Sequence, residues 1–102
     1  MNKTEQEFVN SLFSRFYKDF STAEKFGKDE IYGLYKNRLT TLTGNYRAIV
    51  ELLNVLRAKI RYFTKTEHEF KDIYVELWEK LINECYTTFS GPALNYFINN
   101  IR

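Results

Sequence analysis

Apolar residues recur three and four positions apart from Phe8 to Ile101, and this spacing constrains the chain more than any other feature. Such a pattern lays the apolar side chains along one side of successive α-helices and leaves no room for the alternation of a half-buried strand. A single proline and four glycines supply too few turns for a sandwich or barrel of many short strands. With 102 residues there is room for one domain around one core, spanning 1–102. Nine Phe, eight Tyr and one Trp bring large apolar area, so a few helices can still build a dense interior.

The first helix is predicted over about residues 5–20. Thr4 and Glu7 form a capping box, and Phe8, Val9, Leu12, Phe13, Phe16 and Phe20 make the stripe. Residues 21–28 read as a connection with at most one helical turn. A second helix over 29–43 turns Ile31, Leu34, Tyr35, Leu39 and Leu42 inward, and Gly33 within it suggests a close approach by another helix backbone. Gly44 stops it, and Asn45 caps the third helix, about 46–63. That helix is apolar on more than one face, which marks the element touched by several neighbours. Thr64 with Glu67, or Thr66 with Glu69, is expected to open the fourth helix, 66–89, whose stripe runs from Phe70 to Phe89. Ser90-Gly91-Pro92 breaks the chain before a short helix or tail over 92–100. The expected fold is therefore all-α: an antiparallel up-down four-helix bundle with a short C-terminal helix or tail.

Chemical signatures are sparse. No glycine-rich phosphate loop and no CxxC pair occurs, and His68 is the only histidine. His68 and Asp72 share a helix face and could hold a metal weakly, but a solvated histidine is the simpler reading. Cys85 falls in register with Leu81, Ile82 and Phe89, as a small buried hydrophobe does. Being the sole cysteine, it excludes an internal disulfide and suits a reducing compartment. The polar N-terminus lacks the apolar stretch of a signal peptide, and apolar runs of about five residues fall short of the ~20 of a spanning helix. A cytoplasmic protein that binds rather than catalyses is expected, with no cofactor and no metal.

Charge is distributed unevenly. Residues 36–65 hold seven basic groups against Glu51 alone, whereas residues 66–102 hold three basic and six acidic groups. Arg57, Arg61 and Lys65, four apart, form a positive ridge at the end of the third helix. Cations there complement the helix dipole, and the acidic fourth helix is expected to lie alongside and neutralise them. The alternative is an anionic partner: nucleic acid, acidic lipid or an acidic protein surface. Leu42-Thr43-Gly44-Asn45 resembles the turn of a helix-turn-helix, so a DNA-binding or adaptor role for the basic helix is the second reading. The first turns of the third helix are too apolar to read base edges, and a pI near 8.6 is modest, so nucleic acid is disfavoured.

The chain also resembles a known family. The third helix ends in Lys59-Ile60-Arg61-Tyr62-Phe63-Thr64, a charged helix restarts at Thr66-Glu67, and the Leu77 and Leu81 stripe leads to Ser90-Gly91-Pro92 and an aromatic tail. In these features residues 46–97 are similar to the immunity proteins of class IIa (pediocin-like) bacteriocins, in particular the enterocin A immunity group. The resemblance implies a cytoplasmic four-helix bundle of a Gram-positive bacterium that protects the producer from its own pore-forming peptide. It implies action at the inner face of the membrane, on the mannose phosphotransferase permease, its bound bacteriocin or both, with peripheral membrane association compatible. The C-terminal half is implied to set which peptide is recognised. Arg57, Arg61 and Lys65, with Tyr96 and Phe97 of a tail whose aromatics exceed the core space, are the expected contact residues.

Overall fold

The computed structural model describes residues 2–102 as five α-helices, with no strand among the described residues. α1 (Lys3–Glu24) buries Val9, Leu12, Phe16, Phe20 and Ala23 along one stripe. Its cap is Asn2, whose Oδ1 accepts from the Glu5 amide at 2.8 Å, two residues before the expected Thr4 box. The helix also outruns its predicted end at Phe20, because Ala23 continues the apolar stripe into the interior.

α2 (Lys28–Thr41) is only half embedded, burying Ile31 and Tyr35. Gly33 faces solvent, and a Cβ added there would meet nothing within 4 Å, so no backbone approaches it. The expected close contact is therefore absent. The helix ends at Thr41, with Leu42 as its C-cap, two residues short of the predicted end, so Gly44 (φ +84) shapes the turn that follows, and Asn45 accepts from the Ala48 amide at 3.2 Å, capping the next helix.

α3 (Tyr46–Lys65) is the axis of the molecule. It packs against α1, α4 (Lys71–Thr88) and α5 (Gly91–Asn100). Residues 50–56 are buried without interruption, which takes in every face of the helix. The wide apolar surface in its sequence has this consequence: no single neighbour can cover it.

Between α3 and α4 the chain departs from the predicted capping boxes. The Thr64 and Thr66 hydroxyls donate back to the carbonyls of Ile60 and Tyr62, at 2.7 and 3.2 Å, and cap no following helix, while α3 runs on to Lys65. Glu67 then takes a left-handed conformation (φ +52). Its amide donates to Thr64 and the His68 amide to Phe63, at 3.3 and 3.0 Å, the paired bonds of a Schellman stop. The His68 ring lies 4.8 Å from that of Phe63, completing the apolar contact of the motif. α4 accordingly starts at Lys71, five residues later than expected.

α5 begins at Gly91-Pro92, as the break at Ser90 suggests. It is bound to α3 by hydrogen bonds as well as by packing. Asn54 Nδ2 donates to the Asn100 carbonyl at 3.0 Å, and Asn54 Oδ1 accepts from the Arg102 amide at 2.9 Å. No helix of the described residues is long and apolar enough to cross a membrane.

Candidate functional site

Of the seven cations in the basic stretch, Arg38, Arg47 and Lys59 are matched by Asp19, Glu5 and Glu24, at 3.0, 3.7 and 3.0 Å. All three carboxylates come from α1. The expectation that the acidic fourth helix neutralises the ridge is not met, since Arg57, Arg61 and Lys65 take part in none of the ion pairs among the described residues. α4 does lie beside α3, but it offers Arg57 an aromatic ring in place of a carboxylate. The guanidinium stands 5.3 Å from the centroid of Trp78.

Arg57, Arg61 and Trp78 line a half-enclosed groove of about 260 Å³, together with Ile82, Ile101 and Arg102. Lys65 continues the ridge one turn beyond it, exposed to solvent. Arg102 is the lining residue that sequence reasoning missed. Its guanidinium meets Glu51 Oε1 at 3.2 Å, and it reaches the groove because Asn54 holds its backbone amide. Nothing local in the sequence announces this long-range placement. A weak signal lies in Glu51, the lone acid in the most apolar stretch of the chain, which needs a partner if buried.

The tail aromatics lie elsewhere. Phe97 is 0% exposed, with Tyr86 and Phe89 at ring distances of 4.9 and 6.0 Å, so it belongs to the core and cannot serve as a contact residue. The expectation that the core lacks space for it fails because α5 closes onto α3 and α4. Tyr96 is half-buried against Tyr46 and Arg47, at 5.5 Å from each, and its hydroxyl is buried with no partner. It is not part of the groove.

Two charged groups of α3 lie inside the protein. Lys59 places Nζ 3.0 Å from Glu24 Oε2 and 4.0 Å from the Tyr17 ring centroid, and donates to Ser21 Oγ at 2.6 Å. Tyr74 donates its hydroxyl to the same Glu24 oxygen at 2.6 Å. Burial pushes the Lys59 pKa down, and the Glu24 carboxylate opposes the shift. Burial pushes the Glu51 pKa up, against the opposing pull of Arg102 and Asn54. Lys59 thus adds nothing to the external field that residues 36–65 promise on paper.

The other candidate groups are accounted for by structure. His68 Nδ1 accepts from the Phe70 amide at 3.0 Å, which orders the entrance to α4. No group of three or more His, Cys, Asp and Glu side chains converges on a metal position among the described residues. Cys85 is buried beneath a second cleft of about 310 Å³, lined by Leu39, Ile49, Leu81 and Phe89 among others. Burial, seconded by the Glu84 charge, pushes its thiol up to about 11, so it stays protonated and poorly nucleophilic near neutrality. The start of α3, which a helix-turn-helix would insert into DNA, is enclosed by its neighbours at Ala48, Val50, Leu52 and Leu53.

Comparison with known proteins returns no match, whether to family models, curated proteins or solved structures. The fold and the site together define a small all-α domain whose most distinctive surface is a groove lined by three arginines and Trp78.

Proposed function

We propose that this chain is a bacteriocin immunity protein of the pediocin-like kind, which its sequence resembles. It protects the producing cell from the cytoplasm, by binding a mannose phosphotransferase-type permease and its bound bacteriocin at the inner face of the membrane. In this reading the first four helices run antiparallel, up and down, as their short connections favour. The single observation that carries the reading is the state of Arg57 and Arg61, two guanidiniums with no carboxylate partner in a groove they share with Trp78 and Ile82. Charges left uncompensated beside apolar surface suit recognition of a charged partner.

Expression in a bacteriocin-sensitive strain tests the reading. Survival against at least one class IIa peptide is the expected result, and unchanged killing by every peptide tried would sink it. In the same strain, Arg57→Glu with Arg61→Glu should abolish protection while the protein still accumulates. Protection left intact by that double reversal would remove the groove from the mechanism.

A further inference from the structure

We propose that the groove at Trp78 is a seat for an acidic side chain of a protein partner, a carboxylate adjoining an apolar or aromatic residue. The proposal rests on the reading of this face as the working surface and specifies the chemistry that the surface accepts.

Three of the residues lining the groove are cationic and none is acidic. Arg57, Arg61 and Arg102 stand around Trp78, Ile82 and Ile101. Only Arg102 has a counter-charge, and Glu51, which supplies it, lies buried behind the groove. A carboxylate entering here therefore meets a surplus of positive charge. Arg57 holds its guanidinium 5.3 Å from the centroid of Trp78 and has no carboxylate partner, so its N–H donors are available for paired bonds to a carboxylate. Arg102 is fixed twice, by Glu51 at its side chain and by Asn54 at its amide. Two of the three cations are thus positioned in advance, which lowers the entropic cost of binding.

Size and surroundings decide among anions. About 260 Å³ lies below the ~300–1,000 Å³ of common small-molecule pockets and suits one or two side chains. An inorganic anion would leave Trp78 and Ile82 unused. A planar layer of lipid headgroups is too extended to enter a half-enclosed recess of about 260 Å³, which a single side chain fills.

Trp78 is the only tryptophan of the chain, so its emission reports the groove directly. The full chain is titrated with the capped tripeptide acetyl-Phe-Glu-Leu-amide and with its glutamine counterpart. The expected result is a saturable change in emission, with the glutamate peptide bound at least about tenfold more tightly. Arg61→Gln, at an exposed position, should reduce that preference severalfold, and Arg57→Gln with Arg61→Gln should erase it. Equal binding of the two peptides, or no response up to about 10 mM, would overturn the proposal. So would binding to phosphatidylglycerol vesicles, but not to phosphatidylcholine ones, by a protein that ignores the peptide. Failure of protection in cells with peptide preference intact would count against the immunity reading and leave the seat standing.

Discussion

Lys59 and Glu24 form an ion pair sealed within the bundle, Nζ to Oε2 at 3.0 Å, with side chains 3% and 15% exposed. It ties the end of α1 to the middle of α3, and through Tyr74 to α4. Breaking a buried pair on one side leaves the other charge stranded, at a cost of about 3–5 kcal/mol. Glu24→Gln should therefore be severely destabilising, since it strands the more deeply buried partner. Lys59→Met should cost less, because Glu24 keeps the Tyr74 hydroxyl and some contact with water. Urea midpoints at pH 7 give the order, and a costlier Lys59→Met would refute this account of the pair.

Glu51 makes stability depend on pH in the opposite sense to most carboxylates. Its folded pKa lies above the ordinary 4.5 because burial outweighs Arg102, so between 4.5 and that raised value the folded state binds more protons than the unfolded chain. Stability from this group is then fully present below pH 4.5 and declines as pH rises through the folded pKa. Glu51→Gln should flatten that decline, matching the parent near pH 4 and equalling or exceeding it near pH 7. Thermal melts across this range check the sign, and a variant that falls behind only at neutral pH would show that the Arg102 pair dominates.

Two backbone positions hold the wrong residue for stability. Glu67 adopts φ +52, which costs an L-residue about 1 kcal/mol, while Gly33 lies mid-helix with open space where a Cβ would go. Glu67→Gly should stabilise by about 1 kcal/mol, and Gly33→Ala by about 0.5–1 kcal/mol. The sites share no partner, so the double variant should show the sum in its denaturation midpoint.

Tyr96 and Tyr74 offer a matched test of hydroxyl removal. The Tyr96 hydroxyl is buried without a partner, so Tyr96→Phe should be neutral or stabilising by about 1 kcal/mol. The Tyr74 hydroxyl donates to the Glu24 carboxylate, and its removal should cost about 1.5–3 kcal/mol. Chemical denaturation of both variants would expose a reversed order at once.

The helices are legible in the sequence because their apolar spacing is regular, and the central place of α3 follows from its lack of a polar face. Errors cluster at the ends, where local rules compete. Thr4 and Asn2 both qualify as caps, and only the structure selects Asn2. Thr64 and Thr66 look like the start of a helix, yet their hydroxyls bond backward into the previous one. The groove was half visible. The spacing of Arg57 and Arg61 places them together, but Trp78 falls within the apolar stripe of the fourth helix and Arg102 lies beyond the last predicted element. The polar groups inside α3 were missed for a related reason: Glu51, Asn54 and Lys59 are surface residues by type, and only a helix covered on all sides draws them in.

The shallow embedding of α2 has a dynamic consequence. Its principal neighbour is α1, to which Arg38 and Asp19 bind it, and it buries just Ile31 and Tyr35. Release of this helix leaves the packing of α3 with α4 and α5 in place. Amide hydrogens of α2 should therefore exchange with solvent through local opening, well ahead of those of α3, which wait for the whole domain to unfold. The protein would then breathe at one edge while its axis stays shut.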